Sequence, residues 1–243
     1  MHTRPPLASP LPQHAPDLDW PALRHALDTR GHARIPRLLD AAQCRELVDL
    51  YRQERLFRSR IVMARHGFGR GEYQYFRYPL PPRLEALRQA FYPPLASLAN
   101  DWHARLGQPT RFPATLAAFI AQCHAAGQCR PTPLLLQYQA GDYNCLHQDL
   151  YGALHFPVQM AILLSRPGLD FSSGEFCLSE YSSQEHRAEV VPLEQGDALL
   201  FAVAERPVAG RRSGWRKVLV RHGVSRLLAG QRHTLGVIFH DAR

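Results

Sequence analysis

Lysine is nearly absent from this chain: 28 of the 29 basic residues are arginine, and Lys217 is the single lysine. So lopsided a ratio points to codon bias before it points to a ligand, and the net charge of +8 does not by itself require a polyanionic partner, although a phosphate-binding surface gives the same sum. No apolar run approaches the roughly 18 residues that a membrane helix needs. The opening MHTRPPLASPLPQHAPDLDW also lacks the apolar centre of a secretory signal, so the chain is expected to be cytoplasmic. The five cysteines form neither a CxxC pair nor a repeated spacing. That argues against structural zinc and for reduced thiols serving mainly as core filler. Internal repeats are missing as well. What is present, 243 residues with 45% hydrophobic and 21% charged, is enough apolar material for one globular domain and excludes disorder of the bulk.

Residues 1–16 are proline-rich without apolar periodicity and read as a flexible tail. Leu18 to Leu27 suits a short helix and Gly31 to Leu39 an extended segment. Asp40 then caps a helix expected to run to about Phe57, with Cys44, Leu47, Val48 and Tyr51 on its buried face. Gly71 to Tyr78 alternates as a strand, followed by helical patterns over Pro82–Gly107 and Pro113–Ala126. From Pro131 the texture changes to short β-rich runs without intervening helices: PLLLQYQ, HFPVQMAILLS, GEFCLSE, AEVVPL, DALLFAV, RKVLVRH and RHTLGVIFH. This pattern predicts a mainly β fold of the α+β class. Residues 131–243 would form a jelly roll, and residues 17–130 a helical region with a substrate lid packed on it in the same domain.

Chemistry concentrates in YNCLHQDLYG. On an extended segment His147 and Asp149, two residues apart, share a face and can converge on one cation. A lone HxD is weak evidence. His222, however, ends the strand-like RKVLVRH, and Arg232 follows ten residues later. Two histidines and a carboxylate make the facial triad of non-haem Fe(II) oxygenases, with three coordination positions left open. An arginine on the next strand suits the far carboxylate of a dicarboxylic cosubstrate, which its planar fork binds bidentately.

Tyr138, Gly141, His147, Asp149, His222 and Arg232, in the arrangement YxxGxxxxxHxD followed by H and, at +10, R, resemble the 2-oxoglutarate and Fe(II)-dependent dioxygenases. SSGEF around Glu175 and QGDALLF around Asp197 are similar to the punctuation of that family's double-stranded β-helix, a cupin-like fold. LHQD with Tyr138 nine residues upstream is similar to AlkB-type nucleic-acid demethylases. The block from GDALLFAVAERPVAG to RHTLGVIFHDA resembles bacterial oxygenases assigned to oxidative demethylation of damaged DNA. The resemblance implies Fe(II) on His147, Asp149 and His222, and 2-oxoglutarate held by Arg232 with Tyr138 and, more weakly, Thr234. It further implies use of O2, with hydroxylation of a C–H bond and release of succinate and CO2. A nucleic-acid substrate, DNA or RNA, is the leading expectation.

Three positions depart from the AlkB pattern: Leu136 where a polar residue is usual, Tyr151 where an acid is usual, and Ile238 in place of a second arginine. The spacing from His222 to Arg232 is instead similar to prolyl 4-hydroxylases, so a hydroxylase of protein prolyl residues or of a small molecule is the alternative. Arg70, Tyr73, Tyr75, Phe76, Arg77 and Tyr78 interleave aromatics with arginines where AlkB-like proteins carry a nucleotide-recognition lid. Arg70, Tyr73, Tyr75, Arg77 and Tyr151 are therefore candidate substrate residues, able to stack on bases or meet phosphates. Arg206, Arg211, Arg212, Arg216 and Lys217 form a second basic cluster, expected in a loop, that could follow a phosphate backbone or be merely solvated. His155, His186, His233 and His240 are read as surface or structural, with His233 pointing away from Arg232's face.

Overall fold

The computed structural model describes residues 18–182, 185–210 and 213–243; the expected tail over residues 1–16 lies outside them. Helix α1 (Trp20–Arg30) is capped by Asp19, whose carboxylate accepts from Ala22 N. Strand β1 (His32–Ile35) follows. Helix α2 (Ala41–Leu50) starts from a capping box in which Asp40 and Gln43 satisfy each other's backbone N–H groups. It ends well short of Phe57, which instead opens strand β2 (Phe57–Val62), paired with β4 (Glu72–Phe76). Cross-strand pairing has overridden the apolar periodicity there. Short β3 (Gly69–Arg70) precedes β4, and α3 (Pro82–Arg105) and α4 (Leu116–Ala125) complete the first half.

The second half contributes β5 (Leu134–Gln139), β6 (Tyr143–His147), β7 (Val158–Leu163), β8 (Phe171–Ser173), β9 (Phe176–Tyr181), β10 (His186–Val191), β11 (Ala198–Ala202), β12 (Glu205–Ala209), β13 (Trp215–Val224) and β14 (Leu227–Val237). Gly141, at φ +89°, makes the turn between β5 and β6, a left-handed position that favours glycine. The strands form two antiparallel sheets. The larger has the order β1-β11-β7-β14-β5-β4-β2 with β8 beside β14; the smaller runs β10-β9-β13-β6-β3 with β12 beside β13. This is the double-stranded β-helix. The first half is less helical than its pattern suggests, because β1, β2 and β4 extend the larger sheet and β3 the smaller one.

Helix α3 buries Leu84, Leu87, Phe91, Leu95, Leu98 and Trp102, spaced at three and four residues as one apolar stripe. Tyr92 from the same helix packs on Phe119 of α4, on Phe156 and on Phe239, with ring centroids 5.2 to 6.3 Å apart. The helices thereby brace one side of the sandwich, and the space between the sheets stays open at the site. All five cysteines are free, and only Cys44 and Cys123 are buried, so core filling accounts for two of them and not for the set.

Candidate active site

His147 and His222 lie 75 positions apart in sequence but are direct cross-strand partners on β6 and β13. That register brings their rings to 4.2 Å between centroids. Asp149 follows β6 in irregular backbone, and the residue between, Gln148, fixes it there. The Gln148 amide donates to Ala204 O at 2.9 Å and to Val220 O at 2.8 Å, pinning the HxD turn to β13. The Asp149 carboxylate then spans the two rings, with Oδ1 3.4 Å from His147 Nε2 and Oδ2 3.3 Å from His222 Nε2. All three candidate ligand atoms lie within 4.8 Å of one another, and among the described residues this is the one such cluster able to hold a metal ion.

His147 Nδ1 sits 2.8 Å from Cys145 O. A carbonyl only accepts, so Nδ1 carries the proton and Nε2 is the nitrogen left to meet Asp149 or, in the neutral ring, a metal. His222 is stacked against Phe176 and packed on Phe201, with centroids at 6.0 and 4.7 Å. Burial lowers its pKa despite the hydrogen bond it can donate to the Asp149 carboxylate. Burial also pulls His147 down, but the hydrogen bond and charge of Asp149 outweigh it and leave the group raised. For Asp149 burial acts to raise the pKa, and the two histidines overcome it, holding the carboxyl well below its ordinary range.

A cavity of about 260 Å³ opens on the triad. Arg232, Thr234 and Gly236 of β14 form one wall, Tyr138 and Leu136 of β5 another, and Asn144, Tyr73, Tyr151 and Gln159 complete the polar lining. Arg232 and Tyr138 are cross-strand partners, both buried. The Arg232 Nη1 donates to Thr234 Oγ1 at 2.6 Å, while its Nε has no partner. No carboxylate among the described residues forms an ion pair with it, although burial pushes its pKa down. A buried, unpaired cation is costly, and an anion delivered by a ligand removes that cost. A dicarboxylate meets this demand, and a His/Asp/His donor set meets that of Fe(II), so the residues fit both groups. Gly71, at φ +107°, lets its backbone run against the Tyr138 ring, where a Cβ would stand 2.8 Å from Cδ1.

Of the candidate substrate residues, Tyr73 and Tyr151 line the cavity. Tyr75 is buried behind them, edge-on to Tyr73 at 5.2 Å and to Tyr151 at 6.2 Å. The Tyr151 hydroxyl donates to Asp149 Oδ1 at 2.6 Å. Arg70 and Arg77 are exposed and do not reach the cavity. The second basic cluster is no loop patch: it lies on the β12–β13 hairpin, where Arg206 is buried in an ion pair with Glu180 and Lys217 pairs with Glu205. Glu180 and Glu205 thus pair two of its members, Arg216 keeps its Nε and Nη1 without hydrogen-bond partners, and Arg211 and Arg212 lie outside the described residues. His233 faces Tyr51, ring centroids 5.8 Å apart, on the side of β14 opposite Arg232. Three residues escaped sequence reasoning: Asn144, turned inward by the β6–β13 register shift; Gln159, within an apolar β-rich run; and Arg58, whose guanidinium lies 4.4 Å over the Tyr75 ring.

A family model described as an oxygenase catalysing oxidative methylation of damaged DNA matches residues 71–242. Two proteins of Mycobacterium tuberculosis, from strains CDC 1551 and H37Rv and both described as uncharacterized, are 45% identical over 168 residues, 69% of this chain and 72% of theirs. The fold is similar to that of a prolyl-4-hydroxylase from Pseudomonas putida, with TM-score 0.52, 17% identity, and 92% of this chain and 99% of that one covered. It is similar also to a prolyl hydroxylase from Trichoplax adhaerens solved with a hypoxia inducible factor peptide, with TM-score 0.53, 18% identity, and 90% and 87% covered. A 2OG-Fe(II) oxygenase family oxidoreductase from Burkholderia pseudomallei gives TM-score 0.52 at 14% identity, with 93% and 94% covered. The chain belongs to the oxygenase family that the matching model describes, and its fold is similar to that of 2OG-Fe(II) oxygenases.

Proposed function

We propose that this enzyme oxidatively demethylates alkylated nucleic-acid bases. The observation that carries the reading is the match to the damaged-DNA oxygenase family, which spans the triad, Arg232 and every tyrosine of the cavity. The wall of Tyr73, Tyr75 and Tyr151 supports it, because aromatic faces beside a reactive centre suit an extruded base.

His147, Asp149 and His222 would hold Fe(II), and Arg232, with Thr234 and Tyr138, the far carboxylate of 2-oxoglutarate. When bound, the iron, the 2-oxo acid and O2 supply the oxidising chemistry, with one oxygen atom going to succinate and one to the substrate as CO2 leaves. The protein's part is geometric. Gln148 fixes the carboxylate ligand, Cys145 O fixes the His147 tautomer, and Phe176 and Phe201 keep water from His222. Hydroxylation of an N-methyl group gives an N-hydroxymethyl group. Its C–N bond then breaks, releasing formaldehyde and returning the hydroxyl proton to the base nitrogen.

The test incubates purified protein, Fe(II), ascorbate and 2-oxoglutarate with methylated DNA and RNA oligonucleotides and, separately, with peptide pools. Formaldehyde released with an oligonucleotide is the expected result. No formaldehyde with any nucleic acid, alongside a peptide one oxygen heavier, would overturn the reading in favour of a prolyl hydroxylase.

A further inference from the structure

Most polar side chains of the cavity already have partners or proposed tasks. The triad is set for metal, and Arg232, Thr234 and Tyr138 for the far carboxylate. Gln148 is spent on two backbone carbonyls, Tyr151 on Asp149, and Asn144 donates to the Tyr138 hydroxyl at 3.4 Å. Gln159 is different. It is buried on the inner face of β7, it lines the cavity, and its Nε2 has no hydrogen-bond partner. A buried amide N–H without an acceptor is a standing penalty unless a ligand supplies one.

Its position says which ligand atom that is. On β14 and β7, Thr234 pairs with Leu163, Gly236 with Ala161 and Val237 with Met160, so Gln159 stands one step beyond the last pair, level with Ile238. The Arg232 guanidinium is held on Thr234 Oγ1 and lies 5.8 Å over Tyr138, the cross-strand partner of Arg232, and 5.9 Å over Phe171, which pairs with Gly230, so it sits toward the end of β14 opposite Gln159. Gln159 also neighbours the metal, since its cross-strand partner on the other side, Phe201, packs on His222.

We infer that Gln159 is a cosubstrate-binding residue whose side-chain amide donates to the metal-proximal carboxylate of the 2-oxo acid, opposite the end held by Arg232. Ile238, apolar and buried at the same level, offers no competing donor. The amide thus gives the cavity a polar contact at each end of a dicarboxylate and would make the site select a 2-oxo diacid over a 4-oxo monoacid of the same length.

Gln159→Leu tests this with nucleic acid left out, so failure of the demethylation reading and failure of this one are separable. Affinities of the anaerobic Fe(II) protein are measured by calorimetry for 2-oxoglutarate and, by competition, for 4-oxopentanoate, which keeps the far carboxylate and the keto group but lacks the near carboxylate. The expected result is a roughly ten- to hundredfold loss for 2-oxoglutarate, the worth of one hydrogen bond to a charged group, with 4-oxopentanoate unchanged. The ligand-free thermal midpoint should stay equal or rise, because an unpaired buried amide has been removed. Gln159→Met, of similar length, carries the same test should the leucine variant misfold. Unchanged affinity for 2-oxoglutarate, or equal loss for both ligands, would overturn the assignment.

Discussion

Two arginines of the same barrel are almost fully buried, and they live in opposite electrostatic states. Arg206 closes a network of its own: its guanidinium meets Glu180 at 2.5 Å and donates to the carbonyls of Asp28 and Thr29 at 2.9 and 3.3 Å. Arg232 has one neutral partner, Thr234, and a free Nε facing a cavity. The difference separates structure from function without reference to conservation. A buried charge whose partners belong to the protein holds strands together, whereas a buried charge left open marks where a ligand of opposite sign completes the site.

The sharpest way to break that comparison is to remove each charge. Arg206→Leu should destabilise the protein by about 3 kcal/mol, because the hairpin and α1 lose their common tie and Glu180 keeps only the more exposed Arg187. Arg232→Leu should leave the ligand-free protein equally stable or more so, since an unpaired buried charge disappears. Chemical denaturation of both variants measures this, and equal destabilisation would erase the distinction.

Buried histidines extend the contrast to pH. Burial lowers His240 to about 3 and His233 to about 4. In the unfolded chain both titrate near 6.5, so below that pH the unfolded state binds protons that the native state refuses. Stability should therefore be fully present above about pH 6.5 and be lost as pH falls toward the folded values, by up to ~2.7 kcal/mol per pH unit for the two together. His240→Asn, which can still accept from Phe156 N, should remove about half of that slope in denaturation curves collected between pH 6 and 5. An unaltered slope would show that His240 is not held neutral.

A smaller effect is expected at Tyr151, whose hydroxyl donates to Asp149 Oδ1 at 2.6 Å. Tyr151→Phe should weaken Fe(II) binding roughly tenfold by loosening the carboxylate. Metal titration checks this, and unchanged affinity would return Tyr151 to a purely substrate-facing role.

The chemistry of the site was legible in short-range spacing and in the family pattern. HxD is read from two-residue spacing even though Asp149 stands in irregular backbone just past β6, the arginine ten residues after His222 from the resemblance, and Thr234 on the Arg232 face from strand alternation. Asn144 was not legible, because the register shift between β6 and β13 breaks the alternation that would have placed it inside. Gln159 hides in an apolar run whose inner face becomes visible only once β7 is paired. The strand carrying Arg58 starts at Phe57, where the expected helix ends, and nothing local in the sequence announces its pairing with β4. Charge clusters were the poorest guide: the basic hairpin looks free in sequence and is tied to Glu180 and Glu205 in space.

The most direct test of the open-arginine account is calorimetric titration of 2-oxoglutarate into the anaerobic Fe(II) protein, wild type against Arg232→Leu. One saturable site in the wild type, weakened on the order of a thousandfold in the variant as expected for a lost buried charge pair, is the predicted result. Equal affinity in the two proteins would contradict it.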